Sequence, residues 1–294
     1  MIRPLKMHLP LGVSFEDALK VIGDENKPSV TSFTARPFLK WVGGKRSILD
    51  ELTKRIPASY KTYNELFLGG GALFFFLQPE KAILSDINFH LIITFQAVRD
   101  DVDGLIQHLK VHASNHNKTY FLNARKRLFR EKDKIKIAAL FIYLNKTCYN
   151  GLYRVNQMGK FNVPIGDYKD PAILDEENLR LCSTVLQDVE ICQQDFSQIE
   201  PKKEGFYYLD PPYHETYSLY TGSGFGDEEH KSLAKFCQKI HSAGGFFMVS
   251  NSDTELIRSL YKQFTIEQVS ASRSVSCKGN QRGKEQELII RNYK

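Results

Sequence analysis

Cysteine is scarce and scattered. Cys148, Cys182, Cys192, Cys237 and Cys277 are the only five in 294 residues, with no Cys-x-x-Cys pair. An odd number at wide spacing excludes a disulfide framework and a cysteine-built zinc site, and it points to a reducing, cytoplasmic setting. No segment approaches the roughly 18 consecutive apolar residues of a membrane helix, so no membrane association is expected. The opening MIRPLKMHLPLGVSFEDALK has neither a sustained apolar stretch nor a small-residue cleavage site, and no signal peptide is expected. The Gly-Lys-Ser/Thr of a phosphate-binding loop is missing, and no Gly-x-Gly-x-x-Gly fingerprint fits well. His108, His112 and His116 share one helical face, but no carboxylate or cysteine shares their spacing, so no metal is expected.

What is present is an ordinary globular composition. Apolar residues make up 42% and charged residues 25%, which excludes fibrous and disordered classes and allows one large domain or two ordinary ones. The net charge of +6 is modest, but its distribution is uneven. Lys118 to Lys169 holds 12 Lys and Arg against 3 Asp and Glu, so this segment exceeds the excess of the whole chain and the remainder is slightly acidic. Such a patch attracts phosphate and releases counterions on binding, although a solvated helical face has the same composition.

Residues 1–36 read as an extension, with a short helix from Ser14, and Pro28 to Thr34 as its connection. From Tyr63 the pattern becomes α/β. Tyr63–Leu68 reads as a buried strand, Gly69–Gly71 as a tight turn and Ala72–Leu77 as a helix start. The strand Ala82–Ser85 and a helix over Asn88–Arg99 follow. Residues 104 to 146 read as successive helices, Asn150–Pro164 as a hairpin with Gly159 and Lys160 near its tip, and Asp175–Leu186 as a helix. Strands resume at Val189–Gln193, Phe206–Leu209, Gly245–Val249, Phe264–Val269 and Gln286–Arg291, with helices over Asp227–His241 and Thr254–Tyr261. The expected fold is one α/β sheet, 37–103 and 188–294, interrupted by a basic helical insertion at 104–187.

Two motifs carry chemistry. In ELFLGGGALFFFL (Glu65–Leu77), glycines at a strand-to-helix turn let backbone approach a ligand at a helix N-terminus. Asp86 ends the next strand, where a carboxylate can accept two hydrogen bonds from a ribose diol. A nucleoside cofactor without a triphosphate suits this corner. The second motif is Asp210, Pro211, Pro212 and Tyr213, at the C-terminal end of the run FYYL, where open α/β sheets place ligands. A carboxylate, rigid carbonyl acceptors and an aromatic face can together hold both hydrogens of an exocyclic amine and stack on its ring.

With these motifs in family order, the sequence resembles the N6-adenine DNA methyltransferases, in particular the Dam-like group that methylates adenine in GATC. The resemblance runs from Pro37 to Tyr293 through FLKWVGGKR (38–46), NELFLGGGAL (64–73), SDIN (85–88), CYNGLYRVNQMGKFNVPIGDY (148–168), QDF (194–196), YLDPPYH (208–214) and SNSD (250–253). It implies a Rossmann-like S-adenosylmethionine-dependent methyltransferase sheet with an inserted, hairpin-containing target-recognition domain. It assigns Trp41, Lys45, Phe67, Gly69, Gly71, Asp86, Asp195, Phe196 and Asp210 to the cofactor S-adenosylmethionine, with Lys45 near its carboxylate. It assigns Asp210, Pro211, Pro212 and Tyr213 to a flipped adenine. It assigns Lys40, Tyr149, Asn150, Leu152, Arg154 and Pro164 to double-stranded DNA, Arg154 to a guanine edge and Lys40 to the outer guanine. Asp167 departs from the pattern, standing where relatives usually carry a basic residue. In-line attack by N6 on the sulfonium methyl would then need neither a cysteine nucleophile nor a metal. A restriction endonuclease acting on the same site, or a genome-marking role without one, both fit. The alternatives are methylation of cytosine N4 or RNA, and a non-catalytic DNA-binding regulator on the same fold.

Overall fold

The structure is a computed structural model and describes residues 34–215, 225–271 and 285–294. The expected helix at Ser14, most of its connection to the body, Cys277 and most of the loop 270–284 lie outside the described residues. Seven strands form one sheet: β1 (Thr62–Glu65), β2 (Ala82–Asp86), β3 (Glu190–Gln193), β4 (Gly205–Leu209), β5 (Phe246–Ser252), β6 (Thr265–Ala271) and β7 (Glu285–Arg291). Their order is β3-β2-β1-β4-β5-β7-β6. The first five are parallel, β7 runs antiparallel to β5, and β6 antiparallel to β7. This is a mixed α/β sheet consistent with a Rossmann-like methyltransferase fold.

The topology locates the site. From β1 the chain builds outward through β2 to β3, then returns to lay β4 on the other side of β1. The adjacent strands β1 and β4 therefore lead away from one another at their C-terminal ends, opening the crevice where such sheets bind ligands. Glu65 ends β1, Asp86 ends β2 and Asp210 follows β4.

Period-two burial explains the strands. All five residues of β4 are buried, as a strand covered on both faces requires. Phe206 and Tyr208 enter one apolar core, Tyr207 and Leu209 the other, and β5 and β7 alternate likewise. On the first face lie α1 (Leu49–Thr53), α2 (Ala72–Leu77), α3 (Phe89–Asp100), α4 (Val102–Ser114), α5 (Lys118–Arg127), α6 (Lys134–Thr147) and α7 (Glu176–Leu186). On the second lie α8 (Asp227–Ser242) and α9 (Glu255–Leu260). The helices of the basic segment share one continuous core with the sheet, from Tyr63 and Leu84 through Leu91 to Phe121 and Phe141.

Side-chain caps start most of these helices. Asn88, Asp101, Asn117, Asp133, Asp175 and Thr254 each accept a first-turn N–H, which satisfies a donor that has no partner within the helix. Differences from expectation are local. The first strand stops at Glu65 rather than Leu68, because its continuation turns out toward the glycines. The short turn Lys45–Ile48 and α1 were not anticipated. The 150–164 segment forms no regular strands, being closed by single bridges at Cys148–Ile165 and Val155–Phe161. His112 and His116 are not aligned as ligands: their Nδ1 atoms meet the Tyr120 and Tyr143 hydroxyls at 2.8 and 2.9 Å.

Candidate active site and nucleic-acid interface

Residues far apart in sequence converge at the C-terminal ends of β1 and β4. The Lys45 ammonium lies 2.9 Å from Asp210 Oδ1, 4.6 Å from the centre of the Tyr213 ring, and donates to the Gly43 carbonyl at 2.6 Å. Burial pushes the Asp210 carboxyl up to about 6 against the pull of the Lys45 ammonium, with Glu287 adding to the rise. Tyr213 donates its hydroxyl to Glu287 Oε2 at 2.6 Å. The buried Glu65, whose carboxyl is driven up to about 8 chiefly by burial and further by Asp210, forms the floor. Its Oε2 accepts the Tyr63 hydroxyl at 2.7 Å and the Phe74 N–H at 3.2 Å.

The glycine corner adjoins this cluster. Gly69 and Gly71 have φ of 48° and 65°, the left-handed region in which a side chain is costly. Asp86 accepts the Gly69 N–H at 3.3 Å and the Asn88 N–H at 2.9 Å, and burial still raises its carboxyl to about 6. Trp41 lies against Gly69: a Cβ there would sit 2.8 Å from the indole Cδ1. Gly69→Ala should therefore cost about 1–3 kcal/mol through both backbone and overpacking. An unchanged urea midpoint would show that the indole yields freely. Phe67 and Phe196 meet at 5.6 Å, and Phe225 joins Phe67 at 5.8 Å. Asp195 is turned to its own chain, where Oδ1 accepts Ser197 N–H and Oγ–H at 2.9 and 2.5 Å.

The hairpin head lies beside this corner. Tyr149, Asn150 and Pro164 are exposed, and the Tyr149 N–H donates to the Pro164 carbonyl at 2.9 Å. Leu152 is partly buried against the core. Arg154 donates from Nε to Asn162 Oδ1 at 2.8 Å. Lys40 reaches the Tyr168 hydroxyl at 3.3 Å and lies 4.3 Å from that ring's centre. The buried Asn145 accepts the Lys40 N–H at 2.8 Å and donates from Nδ2 to the Lys40 and Gly151 carbonyls at 2.7 and 3.1 Å. Trp41 and Tyr153 stack at 5.9 Å, joining head and glycine corner again. Beside the head, Arg125, Lys126, Arg130 and Lys160 line a cavity of about 410 Å³.

A glycine corner, an Asp-Pro-Pro-Tyr loop and an adjoining basic face together are features that an enzyme acting on bases in DNA could use. The sequence profile of D12 class N6 adenine-specific DNA methyltransferases matches residues 41–275. The chain belongs to this family. It is 40% identical over 286 residues to type II methyltransferase M.MjaIII of Methanocaldococcus jannaschii, covering 88% of this chain and 99% of that one. It is 38% identical over 271 residues to type II methyltransferase M1.LlaDCHI of Lactococcus lactis, covering 88% and 95%. To a DNA adenine methylase of Haemophilus influenzae it is 34% identical over 266 residues, covering 86% and 92%. Spans this long cannot omit the helical segment 104–187.

Several side chains of this methyltransferase's site were not singled out from sequence. His214 is tied on four sides: its N–H donates to Asn251 Oδ1 at 3.0 Å and its carbonyl accepts Ser252 Oγ–H at 2.6 Å. Its ring nitrogens meet Thr254 Oγ1 at 2.9 Å and Asp227 Oδ1 at 3.1 Å. The exit of the Asp-Pro-Pro-Tyr loop is thereby fastened to the end of β5 and the starts of α8 and α9. The SNSD motif was the visible signal, and it supplies Asn251 and Ser252. Glu65 and Tyr168 stood at the ends of the Glu65–Leu77 and 148–168 motifs without being given a role, and Phe225 and Glu287 had no signal. Among the described residues no helix is long and apolar enough to cross a membrane.

Proposed function

We propose that this methyltransferase transfers the methyl group of S-adenosylmethionine to N6 of an adenine flipped out of double-stranded DNA, within GATC. The observation that carries the reading is the Lys45 ammonium held 2.9 Å from Asp210 and over the Tyr213 ring, in a segment whose Trp41 packs on Gly69 and stacks on Tyr153 of the hairpin head. The donor set suits the cofactor. Asp86 offers a carboxylate to a ribose diol, Lys45 an ammonium to a carboxylate, and Phe67 with Phe196 an apolar edge to an adenine ring. Gly69 and Gly71 bring bare backbone to the corner with Trp41 packed against Gly69, and Asp195 and Asp210 complete the set. The cofactor supplies an electrophilic methyl on a sulfonium.

The chain's own residues do the rest. A base stacked in duplex DNA is out of reach, so it has to leave the helix. Asp210 and the Pro211 carbonyl accept the two amine hydrogens, which localises the nitrogen lone pair, while Pro212 stiffens the loop and Tyr213 stacks on the ring. Positioning and fixed charge are the main sources of acceleration. Residues 104–187 serve as the target-recognition region, 37–103 with 188–294 as the catalytic region, and 1–36 as an extension. In the hairpin head, Lys40, Tyr149, Asn150, Leu152, Arg154 and Pro164 meet the DNA. The Arg154 Nε is engaged by Asn162, so its terminal nitrogens make the bidentate guanine contact. The type II names of two relatives favour a setting beside a restriction endonuclease of the same specificity.

Labelled-methyl transfer to duplexes differing only at GATC tests the proposal. Label at adenine N6 in the GATC duplex alone is expected, and label on cytosine, on RNA or in every duplex equally would overturn it. Arg154→Ala should lose about 1–3 kcal/mol of discrimination at one guanine. Unchanged preference across single-base variants would remove Arg154 from that role.

A further inference from the structure

Glu287 stands in the middle of this site without a role in the chemistry above. It lies on β7, opposite Ser252 of β5, and the three residues that follow it, Leu288, Ile289 and Ile290, are fully buried. The carboxylate is thus carried by one of the most firmly packed strands of the sheet. Its Oε2 receives the Tyr213 hydroxyl at 2.6 Å, while the Lys45 ammonium lies 4.6 Å from the centre of the same ring. Tyr213 itself belongs to a loop outside the sheet, and a tyrosine ring turns about two bonds. A hydrogen bond from a phenol to a carboxylate is short and directional, and it fixes the ring at the end farthest from the backbone. The ammonium close to the ring restricts it further.

We propose that Glu287 is a positioning residue that sets the plane of the Tyr213 ring so that the ring can stack on the target base. The inference rests on the reading of Tyr213 as the residue that stacks on a flipped adenine. The carboxylate and the ring are 74 residues apart in the chain and meet only because β7 is the antiparallel neighbour of β5.

The test uses the full chain as Glu287→Ala, Glu287→Gln, Tyr213→Phe and the Tyr213→Phe/Glu287→Ala pair. Steady-state methylation of a GATC duplex is read alongside the fluorescence of a duplex carrying 2-aminopurine at the target adenine, which is quenched when that base stacks. Glu287→Ala should lower kcat roughly 10- to 100-fold, the scale of a small misplacement, with the KM for DNA within about twofold. It should also brighten the bound 2-aminopurine. Glu287→Gln retains an acceptor for the phenol and should recover most of both. Adding Glu287→Ala to Tyr213→Phe should cost nothing further, because the bond is already gone. If the alanine variant does not fold, Tyr213→Phe removes the same bond from the other side, and Glu287→Gln in that background should be silent.

Independent, multiplicative losses would overturn the proposal, as would a loss of thermal stability with kcat and fluorescence unchanged. If the unmodified chain places no methyl on adenine, the parent reading and this one fail together. If the unmodified chain methylates adenine but the losses multiply, only this one fails.

Discussion

Alanine in place of Asp210 should abolish methyl transfer and leave a chain that still folds and binds duplex DNA. On the proposed reading the carboxylate is the charged acceptor for the N6 amine. Removing one such fixed group from a partly enclosed site typically costs roughly 10²–10³ in kcat. The substitution also leaves the Lys45 ammonium, 7% exposed, without its anionic partner at 2.9 Å. Breaking a buried pair from one side costs about 3–5 kcal/mol when nothing else remains. Lys45 keeps the Gly43 carbonyl and the Tyr213 ring, so the loss of stability should fall below that range. Asp210→Asn retains the shape and should separate the two effects, remaining closer to normal stability while staying inactive. Label transfer, fluorescence anisotropy on a GATC duplex and thermal melting together decide the matter. Full activity in either variant would remove Asp210 from the chemistry.

Glu65→Gln should flatten the pH dependence of stability by an amount comparable to the whole stability of a small domain. In the folded chain the carboxyl stays protonated up to about 8, against a value near 4.5 when the chain is open. Between those values the folded state holds a proton that the unfolded state has released, so stability is complete at low pH and declines as pH rises. The slope is about 1.4 kcal/mol per pH unit. Across the window it amounts to about 5 kcal/mol. Asp86 and Asp210, each raised to about 6, contribute in the same direction, while His90, His112 and His230, lowered to about 4 by burial, act oppositely until the unfolded imidazoles lose their protons. These contributions are common to both chains, so the difference in slope between them isolates Glu65. Glutamine matches the protonated acid: its oxygen can accept from Tyr63 and Phe74, and its NH₂ replaces the acid O–H. Urea denaturation at pH 6, 7 and 8 gives the slope of each chain. Parallel slopes would mean that Glu65 is ionised in the fold.

Local chemistry was readable in the sequence wherever the cause was itself local. The helices expected over Asn88–Arg99 and Asp175–Leu186 begin one residue later, at Phe89 and Glu176, because Asn88 and Asp175 themselves cap a first-turn N–H. The fully buried β4 and the Asp-Pro-Pro-Tyr beyond it were likewise visible as an apolar run meeting a stiff turn. What escaped depends on register across the sheet. Tyr213 meets Glu287 because β7 folds back antiparallel onto β5, and nothing near either residue records that pairing. The basic segment shows the same limit. Arg127 is paired to Glu131 at 3.0 Å and Arg125 donates to the Val163 carbonyl at 3.3 Å, so a count of charges overstates the cations left free to meet phosphate.

The Asn145 amide has a consequence beyond holding two loops together. One side chain ties the backbone of Lys40, next to Trp41 in the glycine corner, to that of Gly151 in the hairpin head. A Cβ at Gly151 would come within 2.5 Å of the Lys40 Cβ, so the two segments have no slack between them. On the proposed reading these are the cofactor's wall and the reader of the duplex. A ligand that orders one of them removes part of the ordering cost of binding at the other, and linkage makes the gain reciprocal. Whatever factor the cofactor adds to DNA affinity, DNA must return to cofactor affinity, and loosening Asn145 should reduce both by the same amount.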